Sequence, residues 1–347
     1  MKIIINIKQM HFKEYLFKFG FIYNFIPVKL LLKYSKKNTI FPFYHFVDAG
    51  TNNIVNHLYQ TKTKAQFIED VMFFKRHFTS LSIEDLKFEK STANKYGFFL
   101  SFDDGLSNFY NVVAPILLKE KVFAINFLNS NFIDNKGLFY RYKVNLLIDI
   151  LQQNDFSKAK KEAINELFKL EVFNKQEVCN LLKKVSINET NIIDKLSKIL
   201  KFSFSDFLKT QKPYLSENQI LELVDKGFSF GAHSKRHPRY SQMSIEKQLN
   251  ETLESVQQVK EKFNLKESYF SFPFSDDGVT EAFFNKIRNE KIVSFGSSGL
   301  KDDDMENHYQ RIPMEYKSKY SAETVIKGEL LYYLLKRLIK KNKIIRN

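Results

Sequence analysis

The sequence predicts an α/β fold, a (β/α) barrel interrupted by a helical insertion, and three observations carry that prediction. Short apolar runs alternate with helical patterns in strand-then-helix order, the signature of a parallel sheet wrapped by helices. At least six such runs occur, more than a short doubly wound sheet needs. Between residues 139 and 214 the pattern changes to Lys, Glu, Asn and Leu at helical spacing, with almost no Gly or Pro.

Candidate strands are Ile40 to Phe46, Tyr96 to Phe102, Val122 to Leu128, Phe228 to His233, Ser268 to Phe274 and Ile292 to Gly296. Several are apolar at consecutive positions, as strands buried on both faces must be. Thr63 to Phe78 reads as a helix before the second strand, and Leu106 to Lys119 as one after it. Ser216 to Lys226 opens with Ser-x-x-Gln, a capping box, and stops at Gly227; Ser244 caps a helix running to about Phe263. The insertion either overhangs the barrel mouth as a lid or packs on its side. From Glu329 to Asn347, Leu331, Leu334, Leu335 and Leu338 recur at helical spacing beside Lys336, Arg337, Lys340, Lys341 and Lys343. This basic amphipathic helix either lies on an anionic membrane surface or docks on the barrel with its cations in water. The organisation is therefore an aromatic and basic segment (1–39), the barrel (40–138 and 215–328), the insertion (139–214) and the basic C-terminal helix (329–347).

Composition narrows the function. The chain of 347 residues is 44% apolar, enough for a real core, which excludes a disordered chain. Its one cysteine, Cys179, lies in the insertion and excludes a disulfide scaffold. With 54 Lys+Arg against 39 Asp+Glu the net charge is +15. Only 8 of those cations are Arg, the residue suited to bidentate phosphate and guanine contacts, and the Lys are dispersed, so nucleic acid is not expected as a partner. The most apolar stretch, residues 11 to 32, is interrupted by Lys13, Glu14, Lys18, Lys29 and Pro27 and lacks a small-residue cleavage site. It reads as neither a membrane span nor a cleaved signal, which places the protein in the cytoplasm or peripherally at the inner membrane face.

Three segments carry chemistry. Ser101-Phe102-Asp103-Asp104-Gly105 follows an apolar strand. Neighbouring strand side chains point to opposite faces, so two adjacent Asp share one site only if the backbone turns, which Gly105 permits. Gly231-Ala232-His233-Ser234-Lys235-Arg236-His237-Pro238 also ends a strand, and Pro238 disfavours helical torsions at His237. Two His with a carboxylate make a three-ligand catalytic metal set that leaves a position open. The third segment, Tyr269-Phe270-Ser271-Phe272-Pro273-Phe274, is a strand ending in proline at the same rim.

Together these segments resemble the polysaccharide deacetylases of the NodB-homology fold, carbohydrate esterase family 4. Residues 101 to 105 match its first motif, Thr/Ser-Phe-Asp-Asp-Gly, and residues 233 to 237 its second, His-Ser/Thr-x-x-His. The resemblance implies a distorted (β/α) barrel that removes N-acetyl groups from amino sugars with one divalent metal, usually Zn2+. It assigns Asp103 as the base that takes a proton from the attacking water, Asp104, His233 and His237 as metal ligands, and the Phe274 backbone N–H as an oxyanion donor. Two departures stand out: Ser271 occupies the third motif's Arg position, and the C-terminal Leu-x-His of the acid is absent. Phe43-Tyr44-His45-Phe46-Val47 resembles the Tyr-His strand of circularly permuted members, such as poly-N-acetylglucosamine deacetylases, which implies His45 as the acid, with His308 in reserve. Arg311, in an Arg-Ile-Pro segment like that of this subgroup, is the substitute expected to fix Asp103. Asp276-Asp277-Gly278 and Asp302-Asp303-Asp304 read as solvated loops. The reading is a metal-dependent N-deacetylase of an acetylated amino-sugar glycan of the cell surface or its precursor. Its alternative is a catalytically lapsed glycan-binding or membrane-associated assembly protein on the same fold.

Overall fold

The computed structural model describes residues 12–48, 54–87, 96–316 and 320–346. Parts of the expected segments, residues 1–11, 49–53, 88–95, 317–319 and 347, lie outside the described residues. Eight parallel strands form the main sheet: β1 (Pro42–Tyr44), β2 (Leu100–Phe102), β3 (Ala124–Leu128), β4 (Ser229–Ala232), β5 (Ser268–Ser271), β6 (Ile292–Gly296), β7 (His308–Gln310) and β8 (Ile312–Pro313). Their spatial order is β7-β6-β5-β4-β3-β2-β1-β8. The two edge strands are therefore consecutive in sequence and separated by Arg311 alone. Tyr309 is in register with Phe295 of β6, while Pro313 is in register with Phe43 of β1. One extended run thus joins both edges and nearly closes the barrel, leaving few unpaired backbone groups. β7 and β8 escape the apolar-run criterion because β7 carries His308 and Gln310 and β8 is only two residues long.

Ile292–Gly296 coincides with its apolar run, whereas the runs over 40–46, 228–233 and 268–274 continue past their strands into the rim loops. The first two runs are also broken at Phe41 and Phe99. Their leading parts form a separate three-stranded sheet in which Gly97–Phe98 is central, paired with Thr39–Ile40 on one side and Thr79–Ser80 on the other.

The helices around the barrel follow their caps. Thr63 and Gln66 form a reciprocal capping box that starts α1 (Lys64–His77), and Ser216 with Gln219 does the same for α2 (Glu217–Asp225). The helix expected over 106–119 is instead a π-helical turn, Phe109–Val113, running into a helix at Ala114–Glu120. Within the 139–214 segment, five helices run from α3 (Tyr140–Gln153) to Phe204–Gln211. Val144, Leu147, Leu151, Ile164, Val178, Leu182, Ile193 and Leu196 give them a core of their own, distinct from the barrel core.

The C-terminal helix differs from the expected one. It begins at Ala322, capped by Ser321, and ends at Leu338 as α4 (Ala322–Leu338). Val325, Ile326, Leu330 and Tyr333 bury its inner face in the barrel core. At its end Leu335, Leu338 and the following Ile339 are exposed. The chain then returns as a short strand, Lys343–Ile344, beside Asp302–Asp303. No described helix is long and apolar enough to cross a membrane.

Candidate active site

Parallel strands deliver the rim residues to one end of the barrel. At the end of β2, Asp104 and Gly105 both take positive φ (74° and 64°), so the chain reverses and both carboxylates face the same space. A Cβ at Gly105 would lie 2.9 Å from Leu128, so the turn also needs glycine for room. After β4, Ser234 and His237 likewise adopt positive φ, and Ser234 Oγ accepts the His237 N–H at 3.0 Å. That local loop converges the two imidazoles on Asp104.

Asp104 Oδ1 lies 3.5 Å from His233 Nε2 and 3.4 Å from His237 Nε2. All three residues are buried, and Asp104 Oδ1 has no hydrogen-bond partner. Orphaned buried acceptors are costly unless a cation satisfies them, and one carboxylate with two imidazoles suits zinc. Burial lowers the pKa of His233, and holds that of His237 down to about 3 against the pull of Asp104, so both rings are neutral near pH 7, the form in which an imidazole can coordinate a metal. His233 Nδ1 donates to Ser271 O at 2.8 Å, which turns its Nε2 lone pair toward Asp104. The residues present therefore fit a divalent cation.

Asp103, also buried, is held differently. Arg311 Nη1 and Nη2 donate to its two carboxylate oxygens, each at 2.8 Å. The same guanidinium reaches Ser101 Oγ at 3.0 Å, Ser271 Oγ at 2.5 Å and Gly296 O at 3.1 Å, and lies 4.3 Å from the Phe43 ring centroid. Burial alone would raise the Asp103 pKa; Arg311, with His233, overrides it and holds the carboxyl well below its usual range. Arg311 can enter the barrel because it is the pivot between β7 and β8, and Ser271, small and hydroxylic, leaves space for it and bonds it.

His45 follows β1 at the same rim. Its Nδ1 lies 2.6 Å from Glu315 Oε2, and the His45 and Phe46 N–H groups both donate to the Glu315 carboxylate at 2.9 Å. Burial opposes a charge on the ring, but Glu315, aided by Asp104 and Asp103, raises its pKa to about 9. Tyr59 stacks on the ring with centroids 4.8 Å apart. Glu315 was invisible to motif reading; the signal available was an acid two residues beyond the Arg-Ile-Pro segment.

Phe274 sits in a tight turn with φ 61°, in which Ser275 N–H donates to Pro273 O at 2.7 Å. This γ-turn geometry is rare and strained for a non-glycine residue. Ser297 Oγ donates to Phe274 O at 3.1 Å, and the Phe274 ring packs edge-on to His237 with centroids 4.6 Å apart. Next along the chain, Asp276 corrects an expectation: it is buried rather than a solvated loop residue. It accepts from Gln310 Nε2 at 2.7 Å and from Arg346, and lies 3.2 Å from His308 Nε2. Asp303, also expected in solvent, accepts from the same Arg346. Asp276, Asp303 and His308 have ligand-like spacing, but the Arg346 guanidinium already supplies the cation between the carboxylates. His308 is thereby held within this clasp by Asp276 and Asp303.

The insertion reaches the site through α3. Tyr142 OH donates to Asp104 Oδ2, and the Phe139 ring lies 4.3 Å from that of His237. Phe139 and Tyr142 join Phe46, Leu106 and Tyr214 in an apolar cluster at the mouth. Side packing alone does not describe the insertion, because Phe139, at the N-cap of α3, and Tyr142 within it touch two of the expected metal ligands.

Comparisons with known proteins bear on the fold and the family. No curated protein matches the sequence. Among solved structures, the Streptococcus pyogenes deacetylase PplD is similar at 15% identity and TM-score 0.51, covering 84% of this chain and 97% of its own. IcaB from Ammonifex degensii is similar at 13% identity and TM-score 0.51, covering 85% and 97%. A polysaccharide deacetylase from Bacillus cereus gives 14%, 0.50, 84% and 68%. These likenesses show the (β/α) barrel fold. The family model for polysaccharide deacetylases matches residues 90–289, more than half of the sequence and the span holding Asp103, Asp104, His233, His237 and Phe274. The chain belongs to the polysaccharide deacetylase family.

Proposed function

We propose that the protein is a metal-dependent carbohydrate N-deacetylase acting on acetylated amino sugars of a cell-surface polysaccharide or its precursor. The observation that carries this reading is the division of the rim. An ionised, doubly bonded Asp103 and a protonated His45 flank the converging Asp104, His233 and His237. Hydrolysis of an amide needs a base for water and an acid for the departing amine, and one buried site here offers both.

Asp104, His233 and His237 would hold the cation, which when bound supplies a Lewis acid for the acetyl carbonyl and acidifies water. Asp103 accepts the proton of the attacking water, while Arg311 keeps that carboxylate ionised and fixed in orientation. The Phe274 N–H, which donates to no other group among the described residues, is the donor for the charge developing on the carbonyl oxygen. His45 then protonates the leaving nitrogen, and Glu315 keeps the ring charged until that moment.

The position of the His45 strand ahead of the Asp-Asp strand supports membership of the circularly permuted subgroup. Ser271 was the main support for a lapsed binding protein. Arg311 weakens that reading, because a guanidinium fixes Asp103 from another element. The test is acetate release from N-acetylglucosamine oligomers and from O-acetylated glycans, with metal content measured on the same samples. N-acetyl turnover that depends on bound metal and is abolished by Asp103→Asn is expected. Equal acetate release by Asp103→Asn, or turnover of O-acetyl substrates alone, would overturn the proposal.

A further inference from the structure

The N-terminal helical segment is apolar on two faces, and the barrel uses only one. Residues 12–18 are helical and are followed by a turn at Gly20–Tyr23. Phe17 packs against Tyr316 at 4.9 Å between centroids, and Tyr23 OH donates to Thr324 O at 3.1 Å. Gly20 lies so close to Thr324 that a Cβ there would come within 2.7 Å of its methyl. These contacts fix the inner face against α4. The outer face is then Phe12, Tyr15, Phe19 and Ile22, spaced three, four and three residues apart and each more than half exposed. Phe21 and Phe25 extend it, the latter 88% exposed. A row of large apolar side chains in water marks an interaction site.

The charges around this face identify its partner. Lys18, Lys29 and Lys33 are exposed beside it, and Glu14 is the only acid between positions 12 and 36. The exposed end of α4 adds Leu338 and Ile339 with Arg337, Lys340 and Lys341, and no acid occurs between 330 and 341. Arg337 Nη1 donates to Tyr34 O at 3.2 Å, which ties that end of α4 to the N-terminal segment. We infer that this joint surface docks on an anionic phospholipid bilayer. Aromatic rings sit at headgroup depth while lysines at the rim pair with lipid phosphates, each near-surface cation adding to the attraction. A second copy of the chain is a poor occupant, because two such faces bring lysine rims together. The segment lies along the bilayer rather than across it, since its inner face is bound to the barrel.

The full-length protein should co-sediment with phosphatidylcholine vesicles containing phosphatidylglycerol and not with phosphatidylcholine alone. The double variant Phe21→Ser, Phe25→Ser should lose about tenfold or more in vesicle affinity, because it removes apolar area from the buried side of the complex. Its circular dichroism and thermal midpoint should match the parent. Lys340→Gln with Lys341→Gln should flatten the salt dependence. Equal binding to neutral and anionic vesicles, unchanged binding by the Phe variant, or light scattering that shows a dimer dissolved by that variant would each overturn the inference.

Discussion

Replacing Glu315 by Gln tests the acid half of the site most directly. The substitution keeps shape and a hydrogen-bond acceptor but removes the charge 2.6 Å from His45 Nδ1. With Glu315 present the ring titrates at about 9, against its ordinary 6.5, and burial pushes it downward. Without that charge the pKa falls back toward its ordinary 6.5, burial and the remaining pull of Asp104 and Asp103 opposing one another. At pH 8 the protonated fraction would fall from about nine-tenths to about three-hundredths, a loss of about 30-fold in kcat/KM if His45 must donate a proton. At pH 6 both proteins keep most rings charged and should differ by less than about twofold. The assay is the pH dependence of acetate release: the basic limb moves from near pH 9 toward 6.5 while the acidic limb stays in place. The sign for stability is the same. The pair stabilises the fold fully below pH 6.5 and loses that contribution as pH rises through about 9, so the parent's advantage over the variant shrinks across that window. A basic limb that does not move, or an equal loss at every pH, would refute the role given to His45.

Three further outcomes follow from the geometry. Arg311→Ala leaves Asp103 buried without its counter-ion, so unfolding experiments should show a loss of about 3 to 5 kcal/mol, and Arg311→Lys should recover less than the native fork because it cannot bond both oxygens. His237→Ala should lower the zinc content of protein equilibrated with the metal, as read by elemental analysis, while circular dichroism stays unchanged. Arg346→Ala removes the cation between Asp276 and Asp303, so the thermal midpoint should drop and acetate release should slow through loosening of the Phe274 turn.

Much of the site was legible because its parts are local. Asp103 with Asp104, and His233 with His237, lie a few positions apart, and a turn-permitting glycine or proline beside them showed that they leave a strand together. Arg311 came from a resemblance in a three-residue segment, and only the sheet order explains how it reaches a carboxylate 208 positions away. Glu315 and the Asp276 clasp were not legible, since their partners arrive from distant chain. A window around Asp276-Asp277-Gly278 looks solvated whatever Arg346 does 70 positions later. The start of the C-terminal helix, Ala322 rather than Glu329, was hidden for a related reason. Its leucine stripe was visible, but its first turns, with Lys327 and Glu329 buried, do not look apolar until Lys13 and Glu323 are seen to pair with them.

The joint at His308–Pro313 makes the barrel's mechanical weak point and its chemistry the same object. Only a three-residue and a two-residue strand hold the two sheet edges together there, and the residue between them carries the counter-ion of Asp103. If that seam parts, two edges are exposed and Asp103 loses its partner in one event. Inactivation should therefore precede unfolding: in mild denaturant, catalysis disappears and the amides of residues 308–312 exchange while the helical signal of the surrounding layer persists.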